Sequence, residues 1–235
     1  SAPEIGTKGK FFAHKTSFGF SANEFDDPNQ LSNGQKDTIN KADGLLFQIY
    51  SDEDVLFQVA AIDAVALKMN KLALIHVATS QMQPAHGQFD AIHLANRTAL
   101  ACLGGYSMSK GLVVLDTLMD IDRGDFPRGG LIDRRGNLNL SGRYLKSLLA
   151  FFEPSRLQHP LVIEKTSTKQ AHTLVRFNRN GRQFCLCLSQ EIDSTRIKTI
   201  TQELGKIQDC FDLQNGAFID IDRNESPSAG LLLAL

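Results

Sequence analysis

The sequence predicts a single α+β domain in which a mixed, strand-rich sheet core carries a few flanking helices. Short apolar runs separated by polar turns recur along most of the chain, which is typical of strands joined by hairpins. Only a few segments space their apolar residues by three and four, as helices do. The 235 residues are enough to bury a substantial core, and 42% hydrophobic with 22% charged residues is ordinary for a globular protein.

Charge and motifs exclude several classes of function. The net charge of −1 gives no electrostatic footprint for nucleic acid or an anionic membrane. No apolar run reaches the roughly 18 residues that span a bilayer. The sequence holds no dinucleotide fingerprint, no phosphate-loop lysine and no serine-hydrolase elbow. We therefore expect no nucleotide cofactor, no nucleic-acid partner and no membrane span.

The first residues differ from the rest of the chain. Residues 1–43 are polar and rich in turn dipeptides, but four phenylalanines interrupt that polarity, namely Phe11, Phe12, Phe18 and Phe20. We expect this segment to pack on the domain formed by residues 44–235, with a small contribution to the sheet from residues 16–20. The opening residues lack the basic and apolar regions of a signal peptide.

Two pairs of strands are predicted at the start of the main domain. Two short, mostly apolar runs at positions 45–50 and 55–60 lie on either side of the polar loop 51–54, which is a hairpin pattern. Residues 64–67 and 72–77 form a second such pair. These segments predict the first part of the sheet.

A paired glycine stands at the centre of the chain. Residues 88–97 have helical spacing and predict a short helix, whereas residues 99–106 form an apolar strand that ends in a turn at Gly104-Gly105. A further strand is predicted over residues 111–115. Since glycine lets the backbone approach a ligand without a Cβ, this turn is a candidate pocket floor; a tight turn or bulge without a ligand is the alternative.

Two hairpins are predicted in the second half. One joins residues 130–133 to residues 137–140 through a polar turn. The other joins residues 173–177 to residues 183–188 across Asn180-Gly181, a strong turn dipeptide.

Two helices and a broken strand complete the prediction. Leucines spaced by three and four predict a helix over residues 144–152, ended by Pro154. A later helix is capped by Ser194 or Thr195 and ends at Gly205. Residues 210–219 then form an apolar strand broken by a polar, glycine-containing turn.

The four cysteines are too few for a disulfide-dense scaffold. Cys185 and Cys187 lie on one face of a predicted strand, and no nearby histidine or further cysteine completes a zinc-like set with them. We expect buried thiols at these positions and no metal site. A bridge between Cys102 and Cys210 is left open by the sequence.

The order of these segments resembles the phosphodiester glycosidase family, which contains a domain related to N-acetylglucosamine-1-phosphodiester alpha-N-acetylglucosaminidase. Five stretches carry the resemblance through their order and spacing: residues 95–106, 111–116, 132–136, 172–182 and 211–216. The resemblance implies a bacterial, secreted protein of the periplasm or cell exterior. It also implies activity on glycosyl phosphodiesters or related envelope saccharides.

The chain departs from the family where its chemistry is expected. Leu103 stands in place of an asparagine before Gly-Gly, His172 in place of an arginine, and Gln214 in place of an acid. An arginine fork is the natural clamp for a phosphodiester, and glutamine cannot serve as a general acid or base. The resemblance therefore implies a divergent member that hydrolyses or binds such ligands. The alternative is a catalytically inactive carbohydrate-binding or protein-interaction module on the same fold.

The resemblance places a single pocket where the glycine turns and strand tips meet. Asp212 is the candidate catalytic acid or base, and His172 the candidate holder of the phosphate. The residues expected to bind a saccharide or sugar-phosphate ligand are Gly104, Gly105, Tyr106, Thr173, Gln214, Asn215, Gly216 and Arg97. Each also has a structural alternative: a hydrogen-bonded histidine, a strand-end carboxylate that accepts backbone N–H groups, a surface guanidinium or a simple Asn-Gly turn.

Overall fold

Two sheets with helices between them make up the fold. The computed structural model describes residues 12–14, 43–50, 53–79, 91–120, 129–152, 161–169, 172–189, 200, 202–220 and 228–235. The strands are β1 (Phe12–His14), β2 (Gly44–Ile49), β3 (Leu72–Val77), β4 (Gly111–Leu115), β5 (Val162–Lys169), β6 (His172–Arg179), β7 (Arg182–Ser189), β8 (Asp209–Asp212), β9 (Ala217–Ile219) and β10 (Gly230–Ala234). The helices are α1 (Val55–Lys68), α2 (Ala91–Ser107) and α3 (Leu140–Phe152). These elements confirm the predicted α+β class.

The first sheet is parallel and follows chain order, β1-β2-β3-β4. Helix α1 links β2 to β3, and α2 links β3 to β4. Both helices pack on one face of this sheet, because alternate strand residues share a buried cluster with side chains of α1 and α2. The strand residues of that cluster are Leu45, Phe47, Ile49, Ala73, Ile75 and Val77.

Helix α1 corrects the predicted hairpin of residues 45–60 and the predicted strand over residues 64–67. Asp54 caps the helix by accepting a hydrogen bond from the backbone N–H of Phe57 at 3.0 Å. The buried residues recur at helical spacing, which is the signal that the strand interpretation overlooked: Val55, Leu56, Val59, Ile62, Val65 and Ala66. Strands β2 and β3 agree with the prediction, but they pair in parallel because a helix joins them.

Helix α2 corrects the predicted strand and glycine turn over residues 99–106. The helix runs without a break from Ala91 to Ser107, so the predicted short helix and the glycine pair belong to one element. A Cβ on Gly104 would lie 3.2 Å from a methyl group of Val59 on α1. The glycine therefore serves close packing between two helices and does not make a turn.

The second sheet has six strands in the order β5-β6-β7-β10-β8-β9, and all of its neighbours are antiparallel. The predicted hairpin across Asn180-Gly181 is confirmed, with φ values of 52° and 78° at the two turn residues. The predicted strand broken by a polar turn is confirmed as β8 and β9.

The main core lies between the second sheet and the helix pair α2 and α3. Ala95, Ala99 and Leu103 of α2 pack with Tyr144 and Leu148 of α3 and with one face of β6, β7 and β10. Helix α3 confirms the predicted helix over residues 144–152 and begins four residues earlier, at Leu140. Because α2 also contributes to the core of the parallel sheet, it connects the two halves of the fold.

Several smaller predictions can be compared with the structure. The predicted turn around residue 136 is present and is closed by one isolated antiparallel bridge between Ile132 and Leu138. Residues 130–133 and 137–140 do not form the two predicted strands, and Leu140 belongs to α3. Gly205 has the positive φ of 86° expected after a helix, although residues 194–199 lie outside the described residues. The predicted strand over residues 16–20 also lies outside them, whereas Phe12–His14 does pair with β2.

The cysteines form no disulfide. All four carry thiols, so the bridge between Cys102 and Cys210 that the sequence left open is not formed. Cys185, Cys187 and Cys210 are buried together on the outer face of the second sheet, which confirms the prediction for Cys185 and Cys187. None of the helices in the described ranges is long and apolar enough to cross a bilayer.

Candidate functional site

Asp212 holds a turn together at the end of β8. Its side chain is fully buried and accepts hydrogen bonds from the backbone N–H groups of Gln214 at 2.8 Å, Asn215 at 3.0 Å and Ser228 at 2.9 Å. Three such donors occupy both carboxylate oxygens from the protein side. The geometry matches the structural alternative named for this residue, a carboxylate that accepts backbone N–H groups.

The turn after β8 contains the predicted residues Gln214, Asn215 and Gly216. Gly216 has a positive φ of 66°, and Asn215 is exposed. The turn is fixed to α3, since the Ser147 hydroxyl donates to the carbonyl of Leu213 at 2.8 Å. These residues form a tight, packed turn at one end of the second sheet.

His172 and Thr173 lie at the start of β6, at the same end of the sheet. His172 is half-buried, and its Nε2 atom has no hydrogen-bond partner among the described residues. In the register of the sheet, His172 lies opposite Ser189 of β7. Strands β7 and β10 lie between β6 and β8. Three strand spacings amount to roughly 14 Å, so the side chains of His172 and Asp212 are too far apart to act on one bond.

Gly104, Gly105 and Tyr106 lie at the opposite end of that sheet. The carbonyl of Tyr106 accepts a hydrogen bond from the N–H of Leu161 at 3.3 Å, directly before β5 begins. At that end Val162 pairs with Asn178, six residues along β6 from His172, which is roughly 20 Å. The structure therefore does not bring the three predicted segments into one cleft.

An apolar cleft of about 400 Å³ does lie beside two of the predicted residues. Gly105 and Tyr106 line it together with β4 and α3. Further lining side chains are Ala101, Val114, Leu118, Leu145 and Leu149. We call this space the β4 cleft. Its apolar walls suit another protein segment better than a hydroxyl-rich or charged ligand.

Arg97 is buried, with 6% of its surface exposed, and its guanidinium is aimed at backbone carbonyls. Nε donates to Ala78 at 2.7 Å, Nη1 donates to Glu53 at 2.8 Å, and Nη2 donates to Tyr50. These carbonyls follow β2 and β3. Arg97 therefore ties two strand ends to α2, and each of the three nitrogens of the guanidinium, which the sequence predicts to contact the ligand, already donates to a backbone carbonyl.

The strand ends around Arg97 gather polar side chains. Thr79 donates to Oδ1 of Asp116 through its backbone N–H at 3.3 Å and through its hydroxyl at 2.6 Å. Glu53 accepts a hydrogen bond from the N–H of Tyr50 at 2.7 Å. We call Tyr50, Glu53, Thr79, Arg97 and Asp116 the carboxyl-edge site, because they follow or surround the carboxyl ends of β2, β3 and β4.

The carboxyl-edge site presents acceptors beside an aromatic ring. The carboxylates of Glu53 and Asp116 are half-buried, and Tyr50 is 39% exposed. Ionised carboxylates only accept hydrogen bonds, and a tyrosine ring offers an apolar face. The arrangement can hold a ligand that combines hydroxyl donors with C–H surfaces.

Sequence reasoning named only Arg97 of this site. A usable signal was present, since Tyr50, Thr79 and Asp116 each come directly or almost directly after an apolar run. The hairpin interpretation concealed this signal, because successive antiparallel strands end on opposite sides of a sheet. Parallel strands end at one edge, where polar residues that follow them meet.

A metal site is not supported by the described part of the chain. No group of three or more histidine, cysteine or acidic side chains is placed there to hold an ion. Asp120 accepts hydrogen bonds from the N–H of Gly130 at 2.7 Å and from the Asn139 amide at 2.8 Å.

Comparison with known proteins gives distant structural similarity only. No protein family matches the chain, and no curated protein matches it. A family 39 glycoside hydrolase from the gut symbiont Bacteroides cellulosilyticus WH2 is similar over 85% of this chain and 44% of its own, with 12% identity and a TM-score of 0.48.

Two amylases are also similar. A noncanonic maltogenic alpha-amylase from Thermotoga neapolitana has 8% identity and a TM-score of 0.32, and an Anoxybacillus alpha-amylase has 11% identity and a TM-score of 0.34. The similarity to each covers 87% of this chain and 64% of the amylase. The chain thus spans less than half the length of the family 39 enzyme. These structures are glycoside hydrolases, none is a phosphodiester glycosidase, and similarity at this level establishes neither a family nor a substrate.

Proposed function

We propose that this protein binds a neutral saccharide at the carboxyl-edge site, as a binding module and not as a phosphodiester hydrolase. The observation that carries the proposal is that Tyr50 and Glu53 follow the carboxyl end of β2 and Asp116 follows that of β4, while Arg97 and Thr79 link these strand ends. In proteins built on parallel strands, ligands bind beyond the carboxyl ends of the strands, among the loops that follow them.

The polar groups of the site suit sugar hydroxyls. Hydroxyl groups donate to carboxylates, and a charged acceptor strengthens such a bond. The two hydrogen bonds from Thr79 hold Oδ1 of Asp116 in place, so the carboxylate is oriented before a ligand arrives. Preorganised acceptors lose less conformational entropy on binding, and the exposed ring of Tyr50 can pack against the C–H face of a sugar.

The charge of the site favours a neutral ligand over a phosphodiester. Two carboxylates stand there, whereas Arg97, the guanidinium that the described residues place beside them, donates to three backbone carbonyls. Among the described residues, a phosphate group would lie close to negative charge without a cationic clamp. Hydrolysis at the predicted catalytic pair has little support as well, since Asp212 is fully buried and about three strand spacings from His172.

Isothermal titration with neutral oligosaccharides of glucose, mannose, galactose and xylose tests the proposal. We expect at least one of them to bind, and Asp116→Asn to weaken that binding about tenfold, because a hydrogen bond to a charged acceptor contributes about 1.5–3 kcal/mol. Asp43→Asn is the matched control: Asp43 precedes β2 at the amino edge of the same sheet and is exposed. Its affinity should equal that of the unchanged protein.

Two results would overturn the proposal. One is the absence of binding by every oligosaccharide of the panel at millimolar concentration; the other is unchanged affinity in both Asp116→Asn and Glu53→Gln. A sugar-1-phosphodiester included in the panel should bind more weakly than the best neutral sugar. Release of reducing ends from the bound sugar would show that the protein is a hydrolase and not a binding module.

A further inference from the structure

The parallel sheet has one face that no helix among the described residues covers. Its residues alternate with those packed on α1 and α2, and the register aligns Leu46, Leu74 and Leu112 in one row across three strands. Leu72 is 48% exposed and Leu112 is 52% exposed on this face. All-parallel sheets are normally buried on both faces, so an apolar open face calls for an occupant.

The outermost strand of the same sheet, β4, is also apolar and forms an open lateral edge. Within the described ranges β4 has a strand neighbour on one side only, β3, and Val114 of β4 is 44% exposed. An edge of this kind presents a row of backbone N–H and C=O groups that can pair with another strand. The opposite edge, β1, likewise pairs only with β2 there.

The β4 cleft runs along this edge. It lies between β4 and the helices α2 and α3, and its walls are apolar side chains such as Leu118, Leu145 and Leu149. Thr117 also lines it, is only 4% exposed, and has a hydroxyl without a hydrogen-bond partner among the described residues. A buried polar atom without a partner is costly, and an incoming backbone would supply one.

We propose that a second copy of this chain occupies the edge and the open face, its β1 pairing in parallel with β4 and entering the β4 cleft. A two-fold axis along the strands places each β4 against the β1 of the other copy and keeps every strand parallel. Four strands from each copy make eight, the number at which a parallel barrel closes with its interior filled by side chains.

The composition of the surface fits two identical halves. Leu46, Leu74 and Leu112 of each copy, and then Gln48, His76 and Val114, would point into such an interior, where alternate strands contribute to successive layers. The net charge of −1 gives little repulsion between copies. Sequential strand order with the helices on one face is the arrangement that a barrel requires, whereas an open sheet of this class carries helices on both faces. This inference does not rest on saccharide binding.

Sedimentation equilibrium on the whole chain tests the inference. We expect a particle of twice 25.9 kDa, and we expect Leu112→Lys and Val114→Lys to sediment as monomers with an unchanged circular dichroism spectrum. Both side chains are about half exposed in one copy, so lysine is tolerated there until a partner buries it. Phe218→Lys is the control, since Phe218 is 73% exposed on β9 of the other sheet and should leave the dimer intact.

A second measurement covers the case in which the lysine variants do not fold. Hydrogen exchange at the backbone amides of β4 in the unchanged protein should slow as protein concentration rises through the dissociation range. Monomers at every concentration tested would overturn the inference. A dimer that persists in both lysine variants, or one whose β4 amides exchange equally fast at all concentrations, would overturn it as well.

Discussion

The carboxylate of Asp212 holds two backbone segments in place through hydrogen bonds. The carboxylate is fully buried and receives three backbone N–H groups, two from the turn after β8 and one from Ser228 before β10. Those contacts tie together two strands that are neighbours in the second sheet. A residue in this position acts on stability, whereas a catalytic acid must also reach a ligand.

Replacing Asp212 by asparagine should therefore lower stability. The amide keeps one acceptor oxygen but puts an NH₂ group against a backbone donor, so we expect the free energy of unfolding to fall by about 2–4 kcal/mol. Urea denaturation measures the change. Asp209→Asn, on an exposed position of the same strand, should cost less than about 0.5 kcal/mol. Equal effects of the two variants would contradict this role of Asp212.

The buried cysteines make stability depend on alkaline pH. Burial raises the pKa of Cys185 to about 12 and that of Cys210 to about 12, from an ordinary value of 9.0. The folded protein therefore keeps protons that the unfolded chain loses above pH 9. Stability should be constant in this respect below pH 9 and fall as the pH rises toward 12, by up to about 1.4 kcal/mol per pH unit for each thiol.

Urea denaturation at a series of pH values between 8 and 11 checks this dependence. Other groups titrate in the same range, so the informative quantity is the difference between the unchanged protein and the double variant Cys185→Ala/Cys210→Ala. The variant should be less stable at pH 8 because it leaves cavities, yet its stability should fall less steeply above pH 9. Parallel curves would contradict the assignment.

At the scale of elements, α2 shows that tertiary packing can outweigh the low helix propensity of glycine. Two adjacent glycines weaken a helix by about 1 kcal/mol each relative to alanine, and they stand inside α2 at Gly104 and Gly105. Gly104 faces Val59 so closely that a Cβ would have to displace a methyl group, whereas a Cβ on Gly105 would reach ordinary contact with Val113 at 3.4 Å. The two glycines thus differ in purpose.

Alanine substitutions separate the two positions. Gly105→Ala should raise the free energy of unfolding by about 0.5–1 kcal/mol, since neither a positive φ nor a clash opposes it. Gly104→Ala should gain nothing or lose stability, because the helix-propensity gain meets a tight contact at 3.2 Å. Thermal unfolding of both variants gives the comparison. Loss of stability in Gly105→Ala would favour the turn that the sequence predicted there.

The sequence predicted best where local chemistry decides the structure. Asn180-Gly181 needs positive φ at both positions, so the hairpin could be predicted from two residues, and the leucines of α3 face one side of a helix. Residues 55–67 were harder, because a run of apolar residues fits a strand or a buried helix equally until its partners are known. The parallel pairing of β2 with β3 depends on that helix and the pairing of β3 with β4 on α2, so the carboxyl-edge site depends on both.

The predicted pocket depended on contacts across the whole sheet. His172 and Asp212 do share one end of the second sheet, as strand tips should, but two strands lie between them. Register and strand order depend on which distant segments pair, and no spacing along the chain reports them. Gly104 and Gly105 lie at the opposite end of the second sheet, because α2 crosses that sheet from one end to the other.

At the scale of the whole molecule, α2 joins a parallel sheet to an antiparallel one. The second sheet is covered by helices on one face and by Ile200 and Leu204 on part of the other. The parallel sheet keeps an apolar face and edge exposed within the described residues, while its strand ends hold Glu53 and Asp116. These differences agree with the proposal that the second sheet serves packing and the parallel sheet serves recognition.

Hydrogen–deuterium exchange with and without the best-binding oligosaccharide locates the ligand on the unchanged protein. We expect slower exchange at Tyr50, Glu53, Thr79 and the residues around Asp116, and unchanged exchange at residues 212–216. Slower exchange confined to His172, Thr173 and residues 212–216 would instead place the ligand at the tips of the second sheet, and recognition at the carboxyl ends of β2, β3 and β4 would be wrong.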